Sequence, residues 1–359
     1  MKHLDFNDTS SYRTRDAIIA DLKSDGLPVA LYGAGQIGRE AAKLFMDNGI
    51  EDISFIETED YLFPGKQICI AGKNIDCISA GEMIGRHDKF NVVLSVVEDT
   101  LLPKLKEIFP MAHHIDHIDA HAPHRMERDF LVNNAGIIRE IYDSLCDEES
   151  KDVFEAFLHA RYTGDVGRIS SLCREGYLYD WELLGLCADD TVMDGGAYIG
   201  DTAAEMEKYL GTLPKKVFCF EPDEKNIAEI RKTYGMTKAV VPVCAGLYSR
   251  DDILSFSGGG SIGSSLSDDG EDRVSVTAPD LHDEYRDVTV IKMDIEGSEP
   301  EALAGMARLI GENHPRLAVC IYHNNDDVIK IYSELKRYGY RFYMRQHSHS
   351  CEETVLYAV

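Results

Sequence analysis

Three carboxylates close successive apolar runs in the second half of the chain. Asp194 ends "TVMD", Glu221 ends "KVFCFE" and Asp294 ends "VTVIKMD". An acid where a strand gives way to a loop faces the crevice in which open α/β sheets bind ligands. Gly195, Gly196 and Gly200 follow the first acid in "DGGAYIGDT", so backbone can approach a ligand there with a carboxylate alongside. A dinucleotide loop brings its amides against a pyrophosphate, which an adjoining carboxylate would repel. The pattern asks for a cationic ligand.

S-adenosylmethionine has that chemistry, with a sulfonium and an α-ammonium and no phosphate. Ala197, Tyr198, Asp201 and Thr202 complete the glycine loop as candidate cofactor contacts, and Glu221 can accept both ribose hydroxyls before Pro222 stops its strand. Cys244 and Ala245 in "VCAG" would line the adenine side, and Asp294 and Glu296 would face the cleft. Ser298 and Glu301, with Pro300, read as an S-x-x-E capping box and are structural. Asp294 and His323 in "CIYH" are the candidates for a catalytic base.

A second glycine loop lies near the start. "ALYGAGQIGRE" supplies Gly33, Gly35 and Gly38, and Glu57 falls about 20 residues on, where a dinucleotide site carries its ribose acid. No Tyr-x-x-x-Lys or other hydride-transfer constellation follows it in that half, so it reads as a further nucleotide site or as a fold that orients or dimerises the enzyme. "MAHHIDHIDAHAPHR" gathers His113, His114, His117, His121 and His124 with Asp116 and Asp119. His113 and His117 would share a helix face, but Pro123 and the isoleucines indicate an irregular linker with solvated histidines and no metal.

These residues need particular elements to hold them. Strands "TVMD", "KVFCFE", "AVVPVCAGL", "VTVIKMD" and "RLAVCIYH" alternate with helical segments, and "RFYMRQ" and "ETVLYAV" close the chain as a hairpin. That predicts a doubly wound sheet of five parallel strands plus a C-terminal antiparallel hairpin over residues 181–359. A smaller Rossmann-like α/β domain spans 1–125, and a helical connector spans 126–180. Gly- and Ser-rich Ser255 to Asp272 reads as a mobile loop at the ligand edge.

The 359 residues suffice for two domains, and the 37 basic against 63 acidic residues give a net charge of −26. Such a field disfavours nucleic acid and anionic membranes. The nine cysteines are scattered with no C-x-x-C pair, as in a reducing compartment, and no apolar run approaches the roughly 20 residues of a membrane span. No secretory leader is evident, so a cytoplasmic location is expected.

The strings "VMDGGAYIGDT", "FEPDEKN", "IKMDIEGSEPEALAG", "PRLAVCIYH" and "ETVLYAV" resemble the FkbM family of S-adenosylmethionine-dependent methyltransferases, over about Asp147 to Val359. The chain also resembles those members that carry a "YGAGxxG" domain in front. The resemblance implies a class I methyltransferase sheet and O-methylation of a sugar, glycan or natural product, and it carries over Asp194, Gly196, Ala197, Gly200, Glu221, Asp294 and Glu296 as cofactor-site residues. Two positions depart: Tyr198 stands where many members have Asn, and "CIYH" lacks a glutamate that many have. The competing readings are an NAD(P)-dependent oxidoreductase or nucleotide-sugar enzyme using the first loop, and a nucleotide sensor without catalysis. The expected partner is a small-molecule or carbohydrate acceptor, and a homo-oligomer is compatible with the front domain.

Overall fold

The computed structural model describes residues 15–58, 61–95, 102–117, 126–163, 166–256 and 272–359. They divide into two compact units. The first comprises Met1–Asn133, Glu155–Cys173 and His349–Cys351, and the second Asn134–Phe154, Arg174–Ser348 and Glu352–Val359. The helices of the 126–180 segment are thus shared between the units.

In the first unit, β1 (Val29–Tyr32), β2 (Ile53–Ile56), β3 (Gln67–Ile70), β4 (Lys73–Ile78), β5 (Asn91–Leu94) and β6 (Ile115–His117) form one sheet in the order β3-β4-β2-β1-β5-β6. All neighbours are parallel except β3 and β4. The helix Gln36–Asp47 ends at Asn48, with Gly49 left-handed as its stop. Two elements depart from the sequence reading. The β3–β4 hairpin turns on Ala71 and Gly72, both at positive φ, and Ala-Gly is a weak signal for such a turn. The segment read as an irregular linker contains β6, which satisfies the open backbone edge of β5. His121 and His124 lie outside the described residues.

In the second unit, β7 (Thr191–Gly195), β8 (Lys216–Phe220), β9 (Val240–Val243), β13 (Val290–Met293), β14 (Arg316–Cys320), β15 (Phe342–Gln346) and β16 (Thr354–Ala358) form a seven-stranded sheet. Between β9 and β13 the short β10 (Gly246–Leu247), β11 (Asp252–Phe256) and β12 (Asp272–Thr277) make a separate small sheet. The Ser/Gly loop's residues 257–271, between β11 and β12, lie outside the described residues. The large sheet runs β15-β16-β14-β13-β7-β8-β9, with β7, β8, β9, β13 and β14 parallel and the closing hairpin antiparallel. This is the class I methyltransferase order that the resemblance implies.

Both faces of that sheet are covered, as a parallel sheet requires. Val192, Val217, Cys219, Val290, Ala318, Cys320, Val355 and Tyr357 pack with Trp181 and Leu184 on one face. Their sequence neighbours Met193, Phe218, Ile291, Leu317 and Leu356 are equally buried, and Tyr285 meets Phe218 edge-on. Among the described residues no helix is long and apolar enough to cross a membrane.

One buried histidine gives this unit an acid limit. His347 sits with Nδ1 at 3.1 Å from the Tyr177 carbonyl and Nε2 at 2.8 Å from the Tyr357 hydroxyl, which itself accepts the Asp180 N–H. Burial pulls its pKa from 6.5 down to about 4, so the folded unit holds it neutral. The sign follows: its contribution is complete above pH 6.5 and is lost as pH falls to about 4, up to about 3 kcal/mol at 1.36 kcal/mol per pH unit. The expected result is that His347→Gln loses less stability than the wild type between pH 7 and 4, in urea titrations followed by Trp181, the only tryptophan. Parallel losses in the two proteins would show that His347 does not set the limit.

Candidate active site

The strand order reverses between β7 and β13, so the ligand crevice of this sheet lies beyond the carboxyl ends of β7, β8 and β13. The glycine loop starts there. Gly196 has φ +72, and a Cβ on it would stand 1.8 Å from the Asp294 carbonyl oxygen; Gly200 has φ +90 and packs on Tyr234. Both glycines are demanded by the chain's own close crossings. The Gly196 and Ala197 amides both donate to the Phe220 carbonyl, Tyr198 is left-handed and 55% exposed, and Asp201 and Thr202 begin the helix Asp201–Leu210.

The Asp194 carboxylate is wholly buried, and register places it directly opposite Lys292 on β13. Lys292 Nζ lies 3.1 Å from Asp194 Oδ1 and donates to the carbonyls of Gly195 (3.1 Å) and Gly196 (2.9 Å). Burial works against both charges: it raises Asp194 and opposes Lys292, yet the Asp194 carboxylate keeps the ammonium above its ordinary value. The pair therefore pins the glycine turn from beneath. Sequence reasoning passed over Lys292, although a lysine inside "VTVIKMD" is an unusual occupant of a buried strand.

Glu221 is buried at the end of β8. Its Oε2 accepts the Tyr198 N–H (3.0 Å) and its Oε1 the Asp223 N–H (2.9 Å), and burial raises its pKa. The Asn226 side chain also hydrogen-bonds this carboxylate, which leaves acceptor capacity for one ligand hydroxyl. Cys244 is exposed just past β9, with Sγ 3.8 Å from the Pro222 carbonyl, and Ala245 is buried beside it.

Beyond β13 and β14 stands a second cluster. His323 lies between three carboxylates: Nε2 is 3.3 Å from Asp294 Oδ1 and 3.7 Å from Glu296 Oε2, and Nδ1 is 3.0 Å from Glu299 Oε1. Burial alone would lower His323, but Glu299 and Asp294 outweigh it and hold it at about 11. For Asp294, burial is likewise overcome, by the His323 hydrogen bond and the Lys292 charge, and its pKa falls to about 2. His323 thus keeps its proton at neutral pH, and Asp294 stands beside it as a carboxylate. The capping box is also absent: Ser298 makes no side-chain cap bond, and Glu299 is turned inward to accept the Ile295 N–H at 2.9 Å.

A residue that sequence reasoning missed completes this cluster. Glu353, at φ +57 just before β16, has Oε1 3.4 Å from the Tyr322 hydroxyl, which donates to Asp294 Oδ1 at 2.9 Å. Burial, and after it the Asp294 charge, raises Glu353 to about 7. Its only signal was position, one residue ahead of the last strand.

The first unit's glycine loop is closely packed. Gly33 is at φ +112, and a Cβ on Gly38 would meet the Gly33 carbonyl at 1.9 Å, while Gly35 caps the helix Gln36–Asp47. Glu57, the expected ribose acid, is instead ion-paired with Lys66, which also donates to the Tyr61 carbonyl.

The sequence matches the Methyltransferase FkbM domain over residues 194–342. No curated protein matches it. Among solved structures, the FkbM methyltransferase of Methylobacillus flagellatus KT is similar with a TM-score of 0.76 at 19% identity, covering 99% of this chain and 96% of that one. Aeropyrum pernix fibrillarin with bound S-adenosyl-L-methionine gives 0.33 at 13% identity, over 50% of this chain and 72% of that one. Precorrin-6y C5,15-methyltransferase from Geobacter metallireducens GS-15 gives 0.32 at 15%, over 50% and 83%. Residues 194–342, which include Asp194, Glu221 and Asp294, are thus similar to the Methyltransferase FkbM domain.

Proposed function

We propose that the second unit transfers a methyl group from S-adenosylmethionine to a hydroxyl of a small-molecule or carbohydrate acceptor. The observation that carries this reading is the charge of the crevice. Glu221, Asp294, Glu296 and Glu353 stand at the carboxyl edge of the sheet, while Lys292 is paired with Asp194 and His323 is shared by Asp294, Glu296 and Glu299. That donor set suits a cationic ligand with ribose hydroxyls and disfavours a pyrophosphate.

The cofactor supplies a methyl carbon already activated by its sulfonium leaving group. The protein's work is then positioning, which is worth roughly 7 to 11 kcal/mol when the reacting atoms are aligned. Glu221 would hold the ribose, and the glycine loop would let backbone approach the ligand. Asp294, fixed by Tyr322 and His323, would orient the acceptor. Glu353 would take the acceptor's proton as its oxygen attacks the methyl carbon and the carbon–sulfur bond breaks.

Calorimetric titration of the full chain tests the cofactor assignment. Micromolar binding of S-adenosylhomocysteine, weakened at least tenfold by Glu221→Ala, is the expected result. Binding of NAD⁺ or NADH without binding of S-adenosylhomocysteine would overturn it and move attention to Gly33, Gly35, Gly38 and Glu57.

A further inference from the structure

Asp25, His113 and His114 come together at the edge of the first sheet opposite its glycine loop. Asp25 ends the helix Arg15–Asp25, and the two histidines lead into β6. His113 Nε2 lies 3.8 Å and His114 Nε2 3.7 Å from the same oxygen, Asp25 Oδ2. One ligand atom from each of the three residues lies within 4.8 Å of the other two. Separations of this size are too long for hydrogen bonds; ligands each about 2 Å from one tetrahedral ion lie about 3.3 Å apart, so side-chain shifts of about half an ångström would close the site on a cation.

Three further features favour a cation at this point. The backbone is fixed: the His113 N–H donates to the Phe90 carbonyl at 2.8 Å and the His114 carbonyl accepts the Val92 N–H at 2.9 Å. Asn91 is wholly buried and aims its Nδ2 at Asp25 Oδ2, 3.4 Å away, while its Oδ1 has no hydrogen-bond partner among the described residues. A buried amide committed in this way orients a carboxylate as the outer shell of a metal site does. Asp25 also stands at a helix C-terminus, where the helix dipole opposes its negative charge and a bound cation relieves both.

We propose that Asp25, His113 and His114 bind a zinc-type divalent cation, which ties the end of the first helix to the β5–β6 edge. Two imidazoles and one carboxylate are a zinc, cobalt or nickel donor set, and three protein ligands leave a tetrahedral position for water. The sequence reading sought a metal partner for His113 at His117, on a shared helix face. The segment is a strand, and the acid comes from a residue 88 positions earlier than His113. This inference is independent of methyl transfer.

The test is titration of the metal-free full chain with Zn²⁺ by calorimetry and with Co²⁺ by absorption. The expected result is one equivalent bound at micromolar affinity, with cobalt bands lacking thiolate charge transfer, and at least tenfold weaker binding in both His113→Ala/His114→Ala and the isosteric Asp25→Asn. Exposed cysteines at 69, 146, 187 and 244 are the competing ligands, and they would reveal themselves by the thiolate band. Unchanged affinity in both variants, a thiolate-type spectrum, or no binding below 100 times micromolar concentration would overturn the proposal.

Discussion

Lys292→Met should cost the second unit about 3 to 5 kcal/mol, the loss that follows when one partner of a buried ion pair is removed. Asp194 is completely buried, and Lys292 is its counter-charge at 3.1 Å. The substitution strands that carboxylate and also strips the Gly195 and Gly196 carbonyls of a charged donor. Asp194→Ala should cost a similar amount by stranding the ammonium instead. The double variant Asp194→Leu/Lys292→Met removes both charges and should recover much of the loss, because apolar replacement of a whole buried pair is often neutral. Urea unfolding followed by Trp181, buried with its Nε1 bonded to Glu205, isolates the second unit. A single-variant loss under 1 kcal/mol would show that the pair does not hold the glycine turn. The same series separates folding from binding: loss of cofactor affinity in Asp194→Ala is a property of the site only if the Trp181 transition is unmoved.

The strands were legible because the second unit alternates apolar runs with helical spacing, and β7, β8 and β13 give way to an acid or a glycine that breaks the apolar pattern. Position along the chain therefore located the crevice. What each acid does there was not legible. Asp194 and Asp294 both end a strand ahead of a glycine-containing turn, yet one is sealed against Lys292 and the other bridges Tyr322 and His323. The difference is which cation lies across the sheet, and strand pairing decides that, since Lys292 faces Asp194 only through the β7–β13 register. His323 misled for the same reason. An isolated imidazole titrates near neutrality, but Glu299, which the sequence reading did not single out, is turned inward against its Nδ1. The β3–β4 hairpin and β6 were missed because a positive-φ alanine and a three-residue edge strand leave little trace in composition.

Glu353→Gln should lower methyl transfer by about 10²- to 10³-fold while leaving S-adenosylhomocysteine affinity unchanged, the range in which a placed base acts. Glu353 is the carboxylate of the crevice whose pKa, raised to about 7 by burial and the neighbouring Asp294, matches a proton acceptor at neutral pH. Turnover of a hydroxyl acceptor, followed by release of S-adenosylhomocysteine, should rise with pH through about 7 in the wild type, as Glu353 loses its proton. That rising limb should vanish in Glu353→Gln. Stability supplies a second reading of the same group. A carboxyl that holds its proton more tightly folded than unfolded contributes stability at low pH that is lost as pH rises from about 4.5 through 7. Glu353→Gln should therefore be more stable than the wild type at pH 8 and lose that advantage at pH 4. A glutamine, unlike a truncation, keeps an acceptor for the Tyr322 hydroxyl, so Asp294 stays in place. A variant that retains the pH limb with turnover within threefold of wild type would remove Glu353 from the chemistry, and proton loss would then have to occur to solvent.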